Sequence, residues 1–149
     1  MEMNFDISGS KEIRYALAKA ALMLSPAKMK KMLYQVGTVI QSETLENIAK
    51  KRTYDGGTMP QLRPSTIKHK KRIGKTDYLK VNGGLQKLNI KSQPDEVRVV
   101  SQGYSHGNSY ASILNQRKKR PFKFMGFGKK LIDKVLSEIR KRTWDLMFK

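Results

Sequence analysis

Hydrophobic positions follow a helical period in the first third of the chain and in its last segment, with a period of two between them. Ile13, Leu17, Ala20, Ala21 and Leu24 recur at helical spacing, and Ser10 stands where an N-cap would accept the first free backbone N–H groups. Ser25-Pro26 breaks this pattern and restarts it. The serine caps, and the proline takes the first turn, where its missing N–H costs no hydrogen bond. A second helix is predicted from Pro26 to about Arg52. Met29, Leu33, Val36 and Ile40 make one stripe, Met32 and Val39 widen it, and Leu45 and Ile48 continue it past Glu43. A helix of this length on a small domain is expected to lie across a sheet or another subunit.

Thr53 to Pro60 contains two glycines and a proline and ends that helix with turn chemistry. A long basic loop is expected over about 54–78, with a short helical turn beginning at Pro64-Ser65-Thr66, where Ser65 or Thr66 can satisfy free N–H groups. Asn82-Gly83-Gly84 is a second break. Leu88 and Ile90, then Val97 and Val99, alternate with polar residues around Gln93-Pro94-Asp95 and predict a β-hairpin. Gly103 to Ser109 reads as a loop, and Tyr110 to Leu114 as a third strand or a short turn. Leu131, Ile132, Val135, Leu136 and Ile139 line one face of a C-terminal helix over about 128–147, with Lys130, Lys134, Glu138 and Lys141 on the opposite side. The fold class expected is α+β: N-terminal helices, a small antiparallel sheet and a closing helix.

Charge changes this picture most. The 149 residues hold 31 Lys or Arg against 12 Asp or Glu, a formal net charge of +19. The length suits one domain. Hydrophobic content is 38%, too high for a wholly disordered basic tail. The cations are clustered: Lys68, Lys70, Lys71 and Arg72 form one group, and Arg117, Lys118, Lys119 and Arg120, followed by Lys123, Lys129 and Lys130, form another. Such clusters suit a polyanionic partner, whether DNA, RNA or an acidic protein face. Lys68, Lys70, Lys71 and Arg72, and Arg117, Lys118, Lys119 and Arg120, are the candidates for electrostatic docking. No cysteine is present, which removes disulfides and thiolate metal sites. No apolar run approaches a membrane span, and the acidic start, Met1 to Asp6, is unlike a signal peptide, so neither a membrane nor a leader is expected.

Catalytic chemistry finds little support. His69 and His106, the two histidines, lie in basic and Gly/Ser contexts that read as exposed loops. Glu43 and Glu46, three apart on the long helix, read as a solvated face; Asp95-Glu96 falls in the hairpin turn, and Asp133 in the first turns of a helix. Gly126-Phe127-Gly128-Lys129-Lys130 lacks the spacing of a phosphate-binding loop and reads as a flexible helix entry. The aromatics are scattered rather than arranged for base stacking. No catalytic residue, metal or cofactor is expected, and the chain is not expected to be an enzyme.

Leu62-Arg63-Pro64-Ser65-Thr66-Ile67-Lys68 resembles the Leu-Ser-Pro-x-Thr-hydrophobic segment of the phage virion morphogenesis and tail-completion family. Asn82-Gly83-Gly84-Leu85 is similar to the family's Thr-Gly-x-Leu turn. Tyr110-Ala111 and Arg120-Pro121-Phe122 then follow in the family's order, before an amphipathic C-terminal helix. The resemblance covers roughly Met59 to the C-terminus; Met59 stands where the family carries tryptophan, and Leu114-Asn115-Gln116-Arg117 where it carries His-Gln-Phe-Gly. It implies a structural virion protein, assembled in the host cytoplasm, that completes a tail and joins it to the head as a homomeric ring of about six. Implied neighbours are neck or connector proteins and tail terminator or tube proteins, with DNA in the channel. A tail terminator ring and a sequence-nonspecific nucleic-acid-binding protein are the alternatives. Arg120-Pro121-Phe122 would supply a rigid turn with an apolar plug, Phe122 either docking a partner or packing under the C-terminal helix.

Overall fold

The computed structural model describes residues 11–75, 87–101, 104–105, 108–109, 122–124 and 126–149. These form four helices and two small antiparallel sheets, the α+β class expected. Helix α1 spans Lys11–Met23 and buries Ile13 and Ala20; its expected cap, Ser10, lies outside the described residues. Helix α2 (Pro26–Ala49) starts as the sequence predicts. Ser25 is extended, its Oγ accepts from Lys28 N at 3.4 Å, and Pro26 occupies the first turn.

At its other end α2 stops at Ala49, short of Arg52. Lys51 turns into the left-handed region (φ 53°), and Arg52 N then donates to Asn47 O at 2.8 Å while Lys51 N donates to Ile48 O at 3.2 Å. This is a Schellman ending built on lysine instead of the usual glycine. The chain next closes a tight turn, with Thr53 N donating to Gly57 O at 2.9 Å and Arg52 bridged to Thr58.

The expected loop over 54–78 contains a nine-residue helix, α3 (Pro64–Arg72). Arg63 is its N-cap without a side-chain hydrogen bond, so Ser65 and Thr66 sit inside the helix and do not cap it. The hairpin appears where predicted: β1 (Leu88–Ser92) pairs with β2 (Val97–Ser101), Ile90 opposite Val99. Its turn is closed by Gln93 N donating to Glu96 O at 2.7 Å. The segment read as a Gly/Ser loop holds two short paired strands, β3 (Tyr104–Ser105) and β4 (Asn108–Ser109). Tyr110–Leu114 and Asn82–Gly84 lie outside the described residues. Helix α4 (Lys129–Phe148) closes the fold, with Leu131, Val135 and Ile139 buried as the spacing requires.

Helix α2 is the axis of the molecule. The β1–β2 hairpin packs along it, α4 lies against it elsewhere, and α1 packs chiefly on α4. Its stripe of Met29, Met32, Leu33, Val36, Ile40 and Ile48 is buried in one hydrophobic core shared with Val97, Val99, Phe124 and the α4 face. Gln41 Nε2 donates to Leu88 O at 2.6 Å and Asn47 Nδ2 to Phe124 O at 3.2 Å, tying two other segments to the same helix. No described helix is long and apolar enough to cross a membrane.

Gly37 lets the hairpin approach. A Cβ there would stand 2.6 Å from Ile90 Cγ2 and 2.9 Å from Val97 Cγ2, both on stiff β-branched side chains. Overpacking costs about 1–3 kcal/mol, and alanine returns about 1 kcal/mol of helix propensity. Gly37→Ala is therefore expected to lower urea stability by up to about 2 kcal/mol. In an Ile90→Ala background that penalty should shrink, because the clashing methyl has gone.

Candidate interaction surfaces

Helix α3 carries the first basic cluster. Arg63 is extended (φ −62°, ψ 146°), as a residue before proline must be, and Pro64 starts the helix. His69, Lys70, Lys71 and Arg72 fill the last turn, where cations oppose the negative end of the helix dipole. Gly74 (φ 66°) ends it: Gly74 N donates to Lys71 O at 3.2 Å and Lys75 N to Lys70 O at 2.8 Å. Lys68, His69, Lys71 and Arg72 are exposed, and so are Ile67 and Ile73, at 41% each. Extended packing against another described helix or strand is absent. Lys70 departs from expectation: it is 4% exposed and cannot be a docking contact.

The second cluster, Arg117 to Arg120, lies outside the described residues. Phe122 is 5% exposed and belongs to the hydrophobic core, so it is not displayed as a plug for a partner. The glycine-rich entry to α4 is also tighter than expected. A Cβ on Gly128 would come within 1.9 Å of Tyr54 O, and one on Gly126 would meet the Tyr54 ring. The segment is a close-packed seam between the turn after α2 and the start of α4, not a flexible entry.

A buried charge cluster lies beside that seam. Glu43, expected on a solvated face, is 4% exposed. Its Oε1 receives Arg52 Nη2 at 3.1 Å and Lys130 Nζ at 3.3 Å, and its Oε2 receives Lys134 Nζ at 2.5 Å. Lys130 and Lys134 thus turn toward α2 and do not oppose the core. Glu46 extends the network to Lys50 at 2.7 Å. The Lys50 hydrogen bond, with help from the Lys130 and Lys134 charges and against desolvation, holds the Glu46 carboxyl at about 2 instead of 4.5. The Glu43 hydrogen bond raises Lys134 above its ordinary value. Nearby, the Thr53 hydroxyl and then the Gly57 N–H lower Asp55. The missed signal was positional: Glu43 continues the Val36–Ile40 stripe at helical spacing, which places a carboxylate where the stripe is buried.

Apolar side chains are displayed on α1 and α4. Leu22 is 89% exposed, Trp144 65%, Tyr15 64% and Phe148 64%; Trp144 and Phe148 pack ring to ring at 4.4 Å. His69 is exposed, as expected, but on helix α3 and not in a loop, and His106 is outside the described residues. Among the described residues, no group of three His, Asp or Glu is placed to hold a metal. Comparisons with protein-family models, curated proteins and solved structures give no match.

The charge cluster makes stability depend on acid in a defined direction. Glu46 has a lower pKa folded than unfolded, so its contribution is complete above about 4.5 and is lost as pH falls toward about 2. Urea midpoints measured between pH 6 and about 2.5 should fall through this window, and Glu46→Gln should flatten that part of the profile.

Proposed function

We propose that the chain is a structural virion protein of a tailed phage, acting at the neck to complete the tail and join it to the head as part of a homomeric ring. Helix α3 is the observation that carries this reading. The Leu62–Lys68 segment that bears the family-like motif runs into a basic helix on which Ile67, Lys68, Lys71 and Arg72 are exposed, with Ile73 exposed at its C-cap. A surface mixing isoleucine with Lys and Arg suits an acidic protein ring, which can cover both; a phosphate backbone offers the isoleucines nothing to pack against. The exposed aromatic and aliphatic residues of α1 and α4 supply further area for protein contact.

Six copies of a +19 chain repel one another unless their charge faces acidic neighbours or channel DNA. Assembly on a partner follows naturally, because a ring turns individually weak patches into strong attachment through avidity. The role is structural, and the virion neck is the location that fits it. Connector, terminator or tube proteins are the neighbours.

Light scattering at about 0.15 M and 0.5 M salt, with and without a short DNA duplex, tests the reading. A discrete ring of about six copies at both salts is the expected result, and a monomer that ignores the duplex at both also fits assembly on a partner. A monomer that coats the duplex at low salt and releases it at high salt would replace this reading with nonspecific nucleic-acid binding.

A further inference from the structure

Between the first half of α2 and the last turns of α4 lies a groove of about 720 Å³. Its floor is apolar: Met32 is fully buried beneath it and Leu146 packs against the core. Its rim is basic, with Lys30, Lys31, Arg142 and Lys149 against one acid, Asp145. Arg142 is engaged by Glu138 at 2.6 Å, and Lys149 lies 3.9 Å from Asp145. Lys30 and Lys31 have no ion-pair partner among the described residues and point their charge at solvent from the exposed side of α2.

Two hydrogen bonds tie the walls to each other. Lys28 Nζ donates to Leu146 O at 2.5 Å, and Thr143 Oγ1 donates to Met32 Sδ at 3.4 Å. A groove already built in the free protein needs little ordering on binding, and that cost is often what limits affinity.

We infer that this groove docks an acidic amphipathic segment of a partner protein. The segment's apolar side chains rest on Leu146 and the exposed Tyr34 ring, and its carboxylates face Lys30 and Lys31. Charge complementarity selects this occupant. An excess of cations around an apolar floor rejects a second copy of the same +19 chain at this face. Nucleic acid fits worse, since a duplex is too broad to enter and its phosphates offer the floor nothing apolar. The inference rests on the groove alone and stands independently of the neck assignment.

The probe is a fluorescein-labelled peptide of about 18 residues, with Leu at helical i, i+3, i+4 and i+7 spacing and Glu elsewhere. A peptide of identical composition with scrambled Leu positions is the control. Anisotropy titration at about 0.15 M salt should give micromolar binding of the amphipathic peptide and at least tenfold weaker binding of the scrambled one. Lys30→Glu with Lys31→Glu should weaken binding about tenfold or more, since both residues change sign. Gln35→Trp fills the groove without changing charge and should weaken it as well. Circular dichroism melts would show both variants folded. Equal binding of the two peptides, unchanged affinity in both variants, or no binding up to about 1 mM would each overturn the proposal. Preferential binding of phosphatidylserine vesicles with the same variant dependence would overturn it in favour of a lipid surface.

Discussion

Glu43 is the constraint on which the rest of the structure turns. A carboxylate placed on the buried stripe of the central helix must be met by cations, because an unpaired buried charge costs several kcal/mol. The cations come from far along the chain: Arg52 from the turn after α2, and Lys130 and Lys134 from α4. Meeting Glu43 therefore fixes the register of α4 along α2. It also brings Gly128 against the Tyr54 carbonyl, a contact that admits no side chain. The hydrophobic faces of α2 and α4 are nonspecific about sliding; a three-cation cage around one carboxylate is not.

Among the described residues, two groups of cations stand apart. Arg52, Lys130 and Lys134 are committed to holding the fold together. Lys68, Lys71 and Arg72 of α3 and Lys30 and Lys31 on the α2 rim of the groove are exposed. Both displayed sets sit beside apolar side chains, Ile67 and Ile73 in one case and Tyr34 and Leu146 in the other. That pairing is the reason we propose acidic protein surfaces, and not bare phosphate, as the partners at both places.

The periodic parts of the fold were legible in the sequence. Ser25-Pro26 announces the start of α2 through capping chemistry, which needs only adjacent residues. Val97 and Val99 announce the hairpin through a two-residue period, and Leu131, Val135 and Ile139 announce α4 through a helical one. Illegible features depended on residues distant in sequence. Glu43 looks like any surface glutamate until Lys134 arrives from 91 positions away. Gly126 and Gly128 look flexible until Tyr54 is laid against them, and Lys70 sits in a run of exposed cations yet is itself buried. The helix α3 exceeded the expected single turn because its dipole is favoured by the basic residues that had made the segment look like a loop.

The division of charge is tested most directly by urea unfolding of two variants side by side. One removes the cage lysines, Lys130→Met with Lys134→Met; the other removes displayed cations, Lys68→Ala, Lys71→Ala and Arg72→Ala. The account predicts a loss of at least about 1 kcal/mol for the first, moderated because both lysines are part-exposed, and a change within about 0.5 kcal/mol for the second. A cage variant as stable as the parent, or an α3 variant that unfolds, would contradict it.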